Sequence, residues 1–253
     1  MARTKGKALA KSVTGQSLAT IDSELTKEAA DLKARIGQPG GKAFKIKPTG
    51  DFIGPDGNNY GPEIQVVVLD FISKNMFYPH PFDPNSPTPP DCFAVGKDIE
   101  AMAPVDQSPH KQNKDCKTCS LNVFGSGQNG KSKACKNTRE IAFLLADEES
   151  LSDDKASVYT LSIPPTSIKA FDGAAGSIAR SLGGPPIKAV ITLVGKNVGT
   201  YATISFVDPV PNPNYAQHAG RRVEANELLN RLPDFTQRAP APKAPRAPVR
   251  GRR

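Results

Sequence analysis

The sequence predicts a mainly β protein of the α+β kind, and three observations predict it. Stretches rich in β-branched and aromatic residues recur at strand length, the best being 64–72, where Ile64, Val66, Val67, Val68, Leu69, Phe71 and Ile72 crowd together. Prolines (24) and glycines (21) punctuate the chain and tryptophan is absent, which favours a loop-rich fold. One helix-period stretch, 167–182, falls after the third of five strand-like segments. The 253 residues suffice for one large domain or two small ones with a proper core.

Taken in order, residues 1–16 read as a disordered basic arm. In segment 17–37, the positions Ile21, Leu25, Ala29, Leu32 and Ile36 share one helical face, and Gly37 and Pro39 end the helix. This amphipathic helix is expected to dock on the body or on a second copy, so self-association through 20–36 is anticipated. A strand at 43–47 precedes the turn-rich 48–62. Residues 79–90 hold too many prolines for a helix or a sheet interior and read as an extended lead-in.

Residues 139–145 read as a buried strand, 147–154 as an acidic loop and 157–163 as an alternating strand. Pro164 and Pro165 then start a helix, where a missing N–H is harmless. Ile168, Phe171, Ala175, Ile178, Ala179 and Leu182 form its apolar face, and Gly183, Gly184, Pro185 and Pro186 stop it. Strands at 187–194 and 201–207 are joined through Gly195 and Gly199 as a hairpin. Segment 208–237 holds a Pro/Asn loop at 209–220 and a short helix at 221–232, with Val223, Leu228, Leu229 and Leu232 as its apolar positions. Residues 238–253 have no means of burying a core and are expected to be disordered.

All four cysteines, Cys92, Cys116, Cys119 and Cys135, lie in one short window. Cys116 and Cys119 form a Cys-x2-Cys knuckle, which supplies two metal ligands from one backbone corner, and four thiolates suit a closed structural Zn²⁺ site. An iron–sulfur cluster takes the same ligands, and spacing does not separate the two. Two disulfides would need an oxidising compartment, and residues 1–7 offer no apolar secretion segment. Four unliganded thiols are the plainer alternative, but they rarely cluster in so polar a stretch. His110 is a spare ligand candidate that also reads as an exposed loop histidine.

The net charge is +8, and its distribution is uneven. Arg3, Lys5, Lys7 and Lys11 make residues 1–16 +4, and Arg238, Lys243, Arg246, Arg250, Arg252 and Arg253 make residues 238–253 +6. The two ends therefore hold +10 and residues 17–237 hold −2. Residues 110–139 carry seven Lys or Arg against Asp115 alone, for +6. Basic ends and a basic finger on a mildly acidic body point to a polyanion, and nucleic acid is the expected partner. No apolar run approaches a membrane span, so a soluble, cytoplasmic protein with no membrane partner is expected.

With the cysteine window (about 79–138) taken as an insertion, segment 43–207 has the element order of an OB-fold, a five-stranded Greek-key barrel with one helix after its third strand. An OB-like barrel with an inserted four-cysteine zinc subdomain and a basic arm resembles the helix-destabilising, single-stranded DNA-binding proteins of T-even phages, which also carry a Cys-x2-Cys knuckle in an early insertion. The resemblance implies a phage-encoded protein of the host cytoplasm that handles single-stranded DNA in replication or recombination, alongside proteins of those processes. Two departures stand out: a fourth cysteine where that family has a histidine, and a basic instead of an acidic C-terminal tail, so partner recruitment by the tail is not implied. The segment Gly130-Lys-Ser-Lys-Ala-Cys-Lys-Asn137 also looks like a motif recurrent in tailed-phage proteins.

Residues 125–132 match Gly-x4-Gly-Lys-Ser, the phosphate loop of nucleotide triphosphatases. The required strand before it and long helix after it are missing, because Cys119 and Cys135 crowd both sides. His80, His110 and His218 all stand in polar, Pro-rich or loop contexts, and no nucleophilic or paired-carboxylate constellation is readable, so no enzyme is expected. An OB-like DNA-binder needs exposed aromatics beside cations. Among Phe71, Phe77, Tyr78, Tyr159 and Tyr201, the better candidates are Tyr78 and Tyr201, because Phe71 and Tyr159 also read as core. Lys111, Lys114, Lys117, Lys131, Lys133, Lys136 and Arg139 are the candidate phosphate contacts. The second function class is a structural or assembly protein of a phage particle whose basic tails meet nucleic acid.

Overall fold

The computed structural model describes residues 42–80, 88–147 and 156–235. The expected basic arm, the helix at 20–36, nearly all of the acidic loop and the basic tail lie outside the described residues. Eight strands form one curled mixed sheet, a half-barrel: β1 (Ala43–Ile46), β2 (Phe52–Ile53), β3 (Glu63–Phe77), β4 (Cys92–Gly96), β5 (Cys135–Leu145), β6 (Tyr159–Ile163), β7 (Ala189–Asn197) and β8 (Ala202–Pro211). Among the described residues three α-helices accompany them: α1 (Ile168–Leu182), α2 (Tyr215–Ala219) and α3 (Arg222–Leu229). Among the described residues no helix is long and apolar enough to cross a membrane.

The spatial order is β2-β1-β6-β5-β3-β7-β8, with β4 also on β3. The spine is β3. One edge carries β5 for most of its length, from Val66 opposite Leu145 to Phe77 opposite Cys135. The other edge is divided: β7 takes Glu63 to Val66, and β4 takes Ser73 to Phe77. Among the described strands only the β1–β6 pairing is parallel.

Continuous apolarity in β3 has a physical reason, because both faces of the sheet are covered. Ile64, Val66 and Val68 point into one core with Phe44, Phe143, Leu161 and Ile191, which α1 closes with Phe171 and Ile178. Val67 and Leu69 point into a second core with Leu144, Val158, Leu228 and Leu229. A register shift between Val68 and Asp70 then inserts one residue. Past it the alternation inverts, so that Phe71 joins the first core and Ile72 the second. A bulge with this effect also bends the strand and increases its twist.

The expected strands at 43–47, 64–72, 139–145, 157–163, 187–194 and 201–207 and the helix at 167–182 all form, with shifted ends. Strands β2 and β4 and helix α2 are additions: 52–53 read as part of a turn-rich stretch, 92–96 as part of the insertion, and 215–219 as loop. The last helix also turns differently than its pattern suggested. Ala225, Leu228 and Leu229 are its buried residues, while Val223 and Leu232 face solvent.

Candidate metal and nucleic-acid site

The cysteine lobe is tied into the sheet at one row. Phe77, the last residue of β3, pairs with Cys92 on one side and with Cys135 on the other. Two cysteines distant in sequence are thus brought to one row, because each begins a strand that flanks the same residue. The Cys116–Cys119 knuckle folds over this row. Its entry is fixed by the Cys116 amide, which donates to the Met102 carbonyl at 2.9 Å. Asp115 sets the turn, accepting from the Thr118 amide at 2.7 Å and from the Thr118 hydroxyl. Asn122 completes it: its amide N–H reaches the Cys119 carbonyl and its side chain donates to the Cys116 carbonyl at 2.8 Å.

All four cysteines are free thiols, and all four line one small cavity of roughly 10 Å³, room for one water-sized body. Burial pushes the thiols of Cys92 and Cys116 above the usual range; Cys119 adds to this for Cys92, and Cys92 and Cys119 add to it for Cys116. Cys135 is pushed furthest, up to about 12, by burial first and then by the three neighbouring sulfurs. An Asn75 side-chain hydrogen bond to Cys116 and a backbone N–H from Gln112 to Cys92 act the other way, favouring thiolate. Asn75 itself accepts from the Asn137 side chain. Among the described residues no group of three or more His, Cys, Asp or Glu side chains is arranged to hold a metal ion as it stands. The four thiols share a cavity without forming a coordination shell. His110 lies outside it, exposed and 3.4 Å from Asp91.

The expected nucleic-acid residues separate into groups. Tyr78 is half-buried beside the cysteine row, with the Lys136 ammonium 5.6 Å from its ring centroid. Lys133 reaches the Asn122 side chain at 3.1 Å and lies over the ring of Phe124 at 5.2 Å. Lys114, Lys131, Lys133 and Lys136 have no ion-pair partner among the described residues, whereas Lys111 pairs with Asp106 and Lys117 with Glu100. Arg139 is turned inward: it is 7% exposed, donates to the Ser73 hydroxyl at 2.8 Å and pairs with Asp172. Tyr201 is exposed, but it sits on the β7–β8 hairpin beside the start of β3, at the opposite end of that strand from Tyr78. Phe71 and Tyr159 pack on the core. His218, expected in a loop, is buried on α2 against Asn212.

Residues 125–132 form a self-contained reversal. The amides of Gly125 and Gly127 both donate to the Ser132 carbonyl, and Asn129 Oδ1 accepts from the Lys131 and Ser132 amides. These N–H groups are used within the loop, and the chain leaves it for β5, not for a helix. Missed from sequence were Asn75 and Asn122, which position the knuckle, and Phe124. The asparagines had no motif to mark them, and the exposure of Phe124 is a property of the folded loop. Compared with family models, with curated proteins and with solved structures, the chain matches none of them.

Proposed function

We propose that the protein binds single-stranded DNA without catalysis, through the end of the sheet where β3, β4 and β5 meet the cysteine lobe. The observation that carries this reading is the gathering, on one small lobe, of four thiols around a cavity, of lysines without ion-pair partners among the described residues, and of two aromatic rings each with an ammonium nearby. Cations positioned beside ring faces are the chemistry that holds a strand of unpaired bases: phosphates take the charge and bases stack.

The connectivity supports an OB-like reading. From β3 through β5, β6, α1, β7 and β8, the antiparallel pairs β3–β5, β5–β6, β3–β7 and β7–β8 are the neighbours such a barrel has. The departure is at closure, where β6 takes β1 as its parallel partner.

A zinc ion held by Cys92, Cys116, Cys119 and Cys135 is part of the proposal. The donor set suits Zn²⁺, and a cavity the size of one water takes a single ion more readily than an iron–sulfur cluster of many atoms. Binding would draw the four sulfurs together and displace their protons. The role in this reading is structural: it stiffens the lobe that presents the cations. Replication or recombination of phage DNA is the setting such an activity fits.

The test is a gel shift on matched single- and double-stranded oligonucleotides, with elemental analysis of the same protein. The reading expects about one Zn²⁺ per chain, preference for single strands, and loss of that preference on chelation or in Cys116→Ser. Iron with visible absorbance would replace the zinc assignment. Equal binding to both DNA forms, unaffected by chelation, would favour the assembly protein that meets nucleic acid through basic ends.

A further inference from the structure

Phe124 is the most exposed large apolar side chain among the described residues, at 77%, and Val123 beside it is 56% exposed. Its loop is held firmly. Ser126 Oγ donates to the Leu121 and Val123 carbonyls and accepts from the Ala134 amide at 3.0 Å. Gly125 turns the chain directly after the ring with φ +94°, a conformation that a side chain would strain. A Cβ on Gly127 would lie 2.3 Å from Ser132 Oγ and 3.0 Å from the Ser132 carbonyl oxygen, so a side chain there would force Ser132 to shift. The root of the loop is shared with the thiol cavity, since Leu121 and Asn122 line it. A rigid mount for an exposed ring does not serve core packing. It holds the ring where something else can meet it.

Charge identifies what meets it. Lys133 stands 5.2 Å from the ring centroid, and Lys131 and Lys136 lie on the same span of chain, which holds no acid from residue 120 to 139. An apolar plane flanked by cations fits a planar, uncharged base attached to phosphate. One ring and one valine are little surface for a lipid bilayer.

We propose that Phe124 is a base-stacking platform of the cysteine lobe, taking an unpaired base of single-stranded DNA on its ring while Lys131 and Lys133 meet the adjoining phosphates. This rests on the single-strand reading above and names the contact within it.

The chain contains no tryptophan, so Phe124→Trp creates a single reporter at the proposed contact. Full-length Phe124→Trp and Phe124→Ala are titrated with oligothymidylate and, separately, with anionic phospholipid vesicles. The proposal expects Phe124→Trp to bind the oligonucleotide and to lose emission on binding it. It expects Phe124→Ala to bind about 5- to 150-fold more weakly with an unchanged melting temperature, since the ring is solvent-facing. Wild-type affinity in Phe124→Ala, or an unquenched tryptophan in a protein that does bind, overturns the platform and leaves the single-strand reading standing. A blue shift on vesicles with no response to DNA overturns it in favour of a lipid surface. Failure of the wild-type protein to bind oligothymidylate overturns both.

Discussion

At the scale of single residues, Arg139 shows how a charge counted in a sequence differs from a charge offered to a partner. It belongs to the run of cations from 110 to 139, yet its guanidinium lies beneath the surface, bonded to Ser73 and Asp172. Asp172 is 47% exposed at its side chain and can return to water, whereas the Ser73 hydroxyl is buried and would lose its partner. Arg139→Ala should therefore cost about 1.5–3 kcal/mol of folding stability while leaving oligonucleotide affinity unchanged. Urea unfolding and a binding titration on the same variant check this. A variant as stable as wild type that binds more weakly would return Arg139 to the DNA contacts. Tyr201 carries the complementary lesson, for its exposure was legible in its polar surroundings but its distance from Tyr78 was not. Only strand register puts the two at opposite ends of β3.

Among elements, the bulge in β3 has the widest consequences. It inverts which side chains face which core, and it places Asp70 where three elements meet. Asp70 accepts from Lys97, just past β4, at 2.7 Å, and pairs with Arg222 of α3 at 3.3 Å. Burial works against its charge, but the Lys97 hydrogen bond, the Phe71 amide and the two cations outweigh that and hold the carboxyl below its usual range. A carboxylate depressed by folding stabilises fully above its unfolded value of about 4, and that contribution fades as pH falls through the folded value. Asp70→Asn should thus unfold at lower urea than wild type at pH 7, by on the order of 1 kcal/mol, and the gap should narrow progressively as pH falls below about 4. A gap that persists in acid would mean that Asp70 acts through shape and not charge. The bulge was not readable from sequence, since 64–72 looks like one unbroken strand. Strand β4 escaped for another reason: Cys92 to Gly96 is short, follows prolines and owes its extended form to pairing with β3. The β5, β6, α1, β7 and β8 segments were legible because each carries its own periodicity and its own stops. The clustering of cysteines was legible too, but the row that joins Cys92 to Cys135 through Phe77 is a fact of register.

For the whole molecule, the proposed activity divides its positive charge between the two ends of the chain, +10, and residues 110–139, +6 by formal count, of which Arg139 is turned inward and the lysines are left to meet a partner. Each phosphate neutralised releases a counterion and adds about 0.7 to the log–log salt slope for a single strand. The ends, made largely of Lys, Arg, Ala, Pro and Gly, hold no aromatic ring on which a base would stack. They attract any polyanion, so they should govern the slope without choosing between DNA forms. The lobe carries the rings and presents its lysines from folded positions around them, so the choice should belong to it. Deleting residues 1–16 and 238–253 should flatten the salt slope and preserve the preference for single strands, whereas treating the protein with a chelator, if the proposed zinc is bound, should reduce the preference with a smaller effect on slope. Binding measured across a salt series for intact, shortened and chelated protein separates the two. If the shortened protein loses all binding at low salt, the sheet and its lobe are not the DNA site, and the basic ends alone account for the contact with nucleic acid.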